Sequence, residues 1–389
     1  MGHPVNNADV IVIGAGIVGA ACADALSERG LRVAVIEQDI AGGGATAAGM
    51  GHLVVMDDNA AELALSAYSV GLWKDLVGER PQRHEYSGCG TIWVAADEEE
   101  MDAARAKAAT MSAHGLDCEL LSPAKLYERE PQLRAGLAGG LLVGGDGLVY
   151  PPKSARILLD RAMRRGAITR RATVAAIEDH GVLMSDGTRH LAQHIVLAAG
   201  SRSAALLPEL PVQPKKGHLA ITDRYPGFVR HQLVELGYIK SAHAASGDSV
   251  AFNLQPRPTG QILIGSSRQF DTVDPQVEPA MLQRMLRHAA TFTPQLAQLN
   301  VVRCWTGLRA ATPDGLPLIG RTRASPRVVV AAGHNMLGLT LGPASAELAI
   351  SAIGDHALPG WSAPFDANRY SRRGAGRLRL ADWTPVTAR

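Results

Sequence analysis

Four consecutive apolar residues at positions 10–13 begin the readable pattern of this chain. A run of that kind predicts a strand buried on both faces. A second apolar run follows at 31–36. Between the two, Ile17, Val18, Ala21, Cys22, Ala25 and Leu26 recur at helical spacing, and Gly30 stands where a helix would end. The chain therefore opens as strand, helix, strand. Residues 195–199 and 328–332 are further apolar runs of strand length, far short of the ~20 residues that span a bilayer. Residues 250–256 and 261–265 read as antiparallel strands around a turn at 257–260. Residues 101–114 and 281–290 read as helices. Residues 305–320 read as a loop and a strand, and the glycine-rich stretch 333–343 runs into a helix over 344–353.

The chain has 389 residues, 46% of them hydrophobic and 20% charged. That composition describes a globular protein with a large core, and the length suits two domains. No internal repeat or low-complexity tract is present. Formal net charge is +2 and aromatic residues make up 4%, so neither a concentrated basic stripe nor base-stacking aromatics point to nucleic acid. The cysteines at 22, 89, 118 and 304 form no Cys-x-x-Cys pair, which argues against a zinc or iron–sulfur site within this chain. Scattered thiols, a polar start over residues 1–8 and the lack of a long apolar segment set the expectation of a cytoplasmic protein without a signal peptide or transmembrane segment.

The chemistry begins at Gly14-Ala15-Gly16-Ile17-Val18-Gly19, between the first strand and the helix. Gly14 permits a tight turn, Gly16 lets the backbone approach a pyrophosphate, and Gly19 allows close helix–strand packing. The helix N-terminus offers unpaired N–H groups to the phosphates. Glu37, at the end of the second strand, is placed to accept ribose hydroxyls and would repel a 2′-phosphate, which disfavours NADP. This unit serves NAD and FAD alike. Residues 41–52 are almost all small, allowing a close backbone pass along a flat ring.

Residues 48–52 (Ala-Gly-Met-Gly-His), the strand ending at Ala199-Gly200, the segment Gly307-Leu308-Arg309 before Thr312-Pro313-Asp314-Gly315, and Gly333-His334-Asn335-Met336-Leu337-Gly338 together resemble the D-amino-acid oxidase superfamily of FAD enzymes. The resemblance runs along nearly the whole chain. It is to the branch of glycine oxidases, D-amino-acid dehydrogenases and the small-substrate subunits of heteromeric dehydrogenases. Those subunits are the beta subunit of D-hydroxyproline dehydrogenase and its counterparts in hydrogen cyanide synthase and opine oxidase. It implies an α/β fold: a Rossmann-like FAD-binding domain of the glutathione-reductase type, plus a substrate domain with an antiparallel sheet and helices. The implied division gives residues 1–85, 140–215 and 300–389 to FAD and 86–139 and 216–299 to substrate. Residues 213–219 look like the crossing between the two.

The resemblance also implies non-covalent FAD. It would be held by Gly14, Gly16, Ile17, Val18, Gly19, Glu37, Gln38, Ala45, Thr46, Ala48, Gly49, Met50, Gly51, Val174, Ala199, Gly200, Gly307, Gly333, His334, Asn335, Leu337, Gly338, Leu339 and Thr340. Some relatives attach flavin through a cysteine, but that position is about Gly307 here and Cys304 is out of register. Arg309 is the carboxylate binder by the family pattern, and a planar guanidinium suits the role; a surface pairing with Asp314 is the alternative. Asn253 stands where glycine oxidase has a substrate-contacting tyrosine, which puts glycine itself in question. His52 and His334 are the ionisable groups nearest the flavin segments. The implied activity is oxidation of a C–N bond in a small amino or imino acid. The implied partners carry a second flavin or an iron–sulfur cluster. Alternatives are a stand-alone oxidase making hydrogen peroxide, a non-catalytic flavin-binding assembly protein, and an NAD-dependent dehydrogenase. Arg369, Arg372, Arg373, Arg377 and Arg379 form a basic tail that is either a partner-docking segment or a solvated one.

Overall fold

A computed structural model describes residues 8–78, 80–237, 247–270, 272–354 and 356–370. Of the basic tail, only Arg369 falls among them. Strands are numbered along the chain. The first sheet runs Leu318–Arg321 (β17), Val328–Ala332 (β18), Arg189–Leu197 (β11), Ala8–Ile13 (β1), Val33–Glu37 (β2) and Ile168–Arg171 (β8), in that spatial order. β1 lies parallel to β2 and β11, with Ile13 level with Ile36 and Leu197. β2–β8 and β11–β18 are also parallel, and β17 alone closes the edge antiparallel. Val174–Glu178 (β9) and Gly181–Met184 (β10) extend from β11 as an antiparallel meander. The apolar runs of the sequence are therefore the central parallel strands, buried by layers on both faces.

Six helices concern the site: α1 (Ile17–Glu28), α2 (Gly44–Ala48), α3 (Ala60–Val77), α4 (Pro151–Arg164), α5 (Pro279–Phe292) and α6 (Gly338–Ile353). α1 packs between α4 and α6 over one face of the first sheet. Gly30, at φ +80°, ends α1 as expected. Its N–H reaches the Ser27 carbonyl and the Leu31 N–H reaches Leu26, which satisfies two terminal carbonyls at once.

The second sheet has eight strands: Val301–Ala311 (β16), Gln213–Arg224 (β12), Gln261–Arg268 (β15), Ser249–Pro256 (β14), Gln232–Glu235 (β13), Thr91–Ala95 (β4), Gly139–Val143 (β6) and Cys118–Leu121 (β5). All pairings are antiparallel except β13–β4. Phe252 and Leu254 of β14 face α5, where Phe252 stacks on Phe292. Asn253 and Gln255 alternate to the opposite face, toward the first domain. His52–Leu53 (β3) and Gly147–Leu148 (β7) form a small ribbon between the sheets.

Three sequence expectations change. Residues 305–311 belong to strand β16, because all of Gln213–Thr222 pairs across it. β6 and β16 both sit in the second sheet, so the crossings expected near 140 and 300 lie beyond Val143 and Ala311. The last helix begins at Gly338, six residues before 344, despite Pro343 inside it. Pro343 has no N–H to give Leu339. The Trp73 indole of α3 donates instead to the carbonyls of Leu339 (3.0 Å) and Thr340 (3.1 Å). The Ser69 hydroxyl donates to Thr340 (2.6 Å) and accepts the Ala344 N–H (3.2 Å). Side chains from a neighbouring helix thus complete the interrupted ladder.

Trp73→Phe removes the indole N–H together with part of the buried ring system, leaving the Leu339 carbonyl without its donor and a small cavity beside it. Urea unfolding is expected to show a loss of about 1–3 kcal/mol, and an unchanged midpoint and slope would contradict this account of the helix.

Candidate active site

The parallel strands end along one edge of the first sheet, and the predicted cofactor residues follow them there. Gly14, after β1, has φ +100°, and a Cβ on it would lie 2.5 Å from the Ala198 carbonyl oxygen. A Cβ on Gly19 would lie 2.0 Å from the Gly14 carbonyl oxygen. Only glycine fits either position, so the turn holds α1 tightly against β1. The N-cap Gly16 offers no side chain, and Thr46 Oγ1 of α2 accepts the Ile17 N–H at 3.0 Å. Glu37, closing β2, accepts the Ala15 N–H (2.7 Å) and the Asp39 N–H (2.9 Å). Gln38 receives Arg202. Ala199 and Gly200 follow β11, Val174 opens β9, and Gly333 follows β18. This crevice at strand ends, with a glycine turn, a helix N-terminus whose N-cap has no side chain and a carboxylate on the next strand, fits the diphosphate and ribose of a dinucleotide.

The segment from Ala45 to Gly51 leaves the first domain and lies on the second sheet. The Trp305 indole donates to the Ala48 carbonyl at 3.1 Å, and Gln255 Oε1 accepts the Gly51 N–H at 2.7 Å. Gly307 lies under Ala48, where an added Cβ would be 2.6 Å from the alanine Cβ. Met50 Sδ lies over Gly265, 3.1 Å from where a Cβ would stand.

Arg309 is half-buried on the sheet face of Trp305 and Gly307. Its guanidinium lies across Gly217 of β12, 2.4 Å from where a Cβ would be, and donates to the Ser267 carbonyl at 3.0 Å. Lys215 pairs with Arg309 across the strands. Burial lowers the Lys215 pKa, and the charges of Arg268 and Arg309 lower it further. Three cations therefore converge on one region of the face, a setting that favours an anion. Asp314 is held by Arg369 instead (2.7 Å), so the alternative pairing with Arg309 is not made.

The remaining candidates occupy distinct settings. Asn253 Oδ1 is buried and accepts no hydrogen bond among the described residues. His52, on β3, has a buried Nε2 without a partner, and burial lowers its pKa to about 4. His334 is buried beneath α6, its Nε2 2.8 Å from Ser345 Oγ, and burial lowers its pKa to about 4 as well. Both imidazoles are neutral at pH 7. Asn335 has φ +48° and its N–H bonds the Ala310 carbonyl. Leu337 caps α6, whose first residues are Gly338, Leu339 and Thr340. The Thr340 hydroxyl donates to the His52 carbonyl at 2.9 Å. Cys304 alternates to the α5 side of β16, away from the Arg309 face.

Gly217, Gln255, Ser267 and Trp305 were not among the residues singled out from sequence. An isolated glycine within a strand, as in Lys216-Gly217-His218, signals close approach of another group. Strand alternation from Asn253 would also have reached Gln255. Ser267 left no signal, since it acts through its backbone.

A family description, FAD dependent oxidoreductase, matches residues 9–352. Glycine oxidase from Bacillus licheniformis is 28% identical over 383 residues, covering 93% of this chain and 97% of the relative. Hydrogen cyanide synthase subunit HcnC from Pseudomonas aeruginosa is 26% identical over 416 residues, covering 93% and 96%. The crystal structure of glycine oxidase from Geobacillus kaustophilus superposes with a TM-score of 0.83 at 26% identity, covering 93% of this chain and 98% of that one.

The buried histidines set a pH dependence. Between pH 6.5 and about 4 the unfolded chain protonates His52 and His334 while the folded chain leaves them neutral. Stability is present above that window and falls as pH drops through it. Glu62 and Asp146, whose pKa values burial raises to about 8 and about 7, contribute with the opposite sign. The test is therefore a difference between chains: the melting temperature of His334→Gln relative to the parent is expected to rise as pH falls from 6.5 to 4, and a constant difference would contradict this account.

Proposed function

The chain belongs to the family of FAD-dependent oxidoreductases, and on that premise we propose that it oxidises the C–N bond of a small amino or imino acid as the catalytic beta subunit of a heteromeric dehydrogenase. D-hydroxyproline or proline, another D-amino acid, or an opine fits this reading. The observation that carries it is Arg309, set among cations on the sheet face that meets the segment 45–51. A carboxylate bound there places the adjacent carbon beside that segment.

Gly14, Gly16, Ile17, Val18 and Gly19 would hold the diphosphate of FAD, and Glu37 and Gln38 the ribose. Ala45, Thr46, Ala48, Gly49, Met50, Gly51 and Gly307 would lie along its ring. Val174, Ala199, Gly200, Gly333, His334, Asn335, Leu337, Gly338, Leu339 and Thr340 would complete the crevice. Bound FAD supplies an acceptor for the hydride leaving the substrate carbon. Arg309 orients the substrate through a charge-assisted contact that Lys would not reproduce. Asn253 Oδ1, buried without a donor, is available to accept an N–H of the substrate amine. An amine that binds uncharged gives up hydride from carbon and a proton from nitrogen, and the resulting imine reacts with water. Neutral His52 and His334 leave the Arg309 region its positive charge. Cys304, turned to the opposite face, is consistent with non-covalent FAD.

The heteromeric role rests on the likeness to the small-substrate subunits and on four cysteines that are all free. Their separation leaves any iron–sulfur cluster to a partner. The reading carries a cytoplasmic location, at most peripheral to a membrane through partners. Among the described residues no helix is long and apolar enough to cross a membrane.

Anaerobic mixing of the flavin-loaded protein with D-proline, D-hydroxyproline, D-alanine, glycine and an opine is expected to bleach the flavin with at least one of them. In air, peroxide formed by the isolated chain at the full rate of turnover would replace the dehydrogenase reading with a stand-alone oxidase. Arg309→Ala is expected to lower kcat/KM on the order of 100-fold, and unchanged turnover would favour a non-catalytic assembly role. Gly217→Ala pushes a methyl into the guanidinium and is expected to raise KM on the order of tenfold with FAD content unchanged.

A further inference from the structure

A cavity of about 210 Å³ lies beside the segment 45–51, lined by Ala47 and Gly49 on one side and by Gln255, Arg257, Arg303 and Trp305 of the second sheet on the other. Its charged lining is unbalanced. Among the described residues Glu85 is the one acid in it, and that carboxylate is shared by Arg257 (2.6 Å) and by Lys153 (3.2 Å). Arg303 makes no ion pair among the described residues, and its guanidinium lies 5.5 Å from the Trp305 ring centroid. Two cations of the lining, Arg257 and Arg303, thus face one carboxylate that is already paired. Leu148, Val149 and Leu263 supply apolar wall between the polar groups. Such a lining suits a short hydrocarbon chain that ends in an anion.

The cavity shares its sheet face with Arg309. Residues 303, 305, 307 and 309 of β16 alternate onto one side, and the Arg309 guanidinium leans back over Gly217, which pairs with Gly307. From Gly307 to Arg303 is four residues, about 13 Å along the strand. Two carboxylates of one molecule reach both ends only when several bonds separate them.

We propose that this cavity binds a second carboxylate of the substrate, so that the preferred substrates are amino acids whose side chain or nitrogen substituent ends in an acid several bonds from the α-carboxylate. The proposal rests on the C–N oxidation argued above. Arg303 is a specificity residue within it, and Arg257, with Glu85 and Lys153, fixes the opposite wall.

The test uses the flavin-loaded protein with its companions and substrate pairs that differ in the terminal acid: D-2-aminoadipate with D-norleucine, and N-(2-carboxyethyl)glycine with N-propylglycine. Anaerobic flavin bleaching is expected to give a kcat/KM for each diacid on the order of 10- to 100-fold above its partner, mostly through KM. Arg303→Met is expected to bring that ratio toward one, and Arg303→Lys to restore part of it. FAD content checks that each variant is folded. Binding is read separately from turnover: adipate, which has no amine, is expected to perturb the flavin spectrum at lower concentration than hexanoate, and Arg303→Met to abolish the difference. Equal use of both members of each pair, or a diacid preference that survives Arg303→Met, overturns the proposal and leaves C–N oxidation standing. A flavin that no amine in either panel bleaches overturns both.

Discussion

The contact between the segment 45–51 and the second sheet is the constraint on which the site depends. It is a backbone contact, made where side chains are missing. Gly307 lies beneath Ala48, and Met50 lies over Gly265, where a Cβ would stand 3.1 Å from its sulfur. A hydrogen bond donated by the Trp305 indole and one accepted by Gln255 Oε1 fix the register. The first sheet's edge carries the glycine turn and the second sheet carries Arg309, so the distance between them is set by how closely these surfaces meet. A methyl group at this interface separates them, and near-attack geometry tolerates little separation.

That interface is braced from behind by α3 and α6. Trp73 and Ser69 complete the ladder that Pro343 interrupts. Thr340, in the first turn of α6, donates to the His52 carbonyl and receives the Val54 N–H at 3.4 Å. The strand that follows the segment 45–51 is therefore tied to the helix beneath the crevice. The buried polar groups here act as positioning contacts, each satisfied by a partner distant in sequence.

Charge is distributed to match. The first domain's edge carries Glu37, whose carboxylate accepts the Ala15 and Asp39 N–H groups. The sheet face carries Lys215, Arg268 and Arg309 at one end and Arg257 and Arg303 at the other. The histidines closest to the crevice are buried, and burial lowers the pKa of each. Between the two ends, around Asn253, Met50 and Trp305, the face carries no charged side chain.

The sequence by itself determined the βαβ unit, the glycine turn, Glu37 and the apolar strands, because those signals are local: a continuous apolar run, helical spacing and φ-permissive glycines all act within a few residues. Arg309 was legible only through its family motif. Periodicity also gave the hairpin of β14 and β15, and with it the face that Asn253 shares with Gln255. Only the tertiary structure decided that residues 305–311 form a strand, since the long strand β12 must first lie alongside them. Likewise, only packing placed α6 six residues earlier, since its proline is tolerated through donors on α3. The cavity with Arg257 and Arg303, and Gly217 beneath Arg309, join residues 46 to 92 positions apart. Their meeting is fixed by strand pairing across the sheet, and no short-range pattern in the chain encodes it.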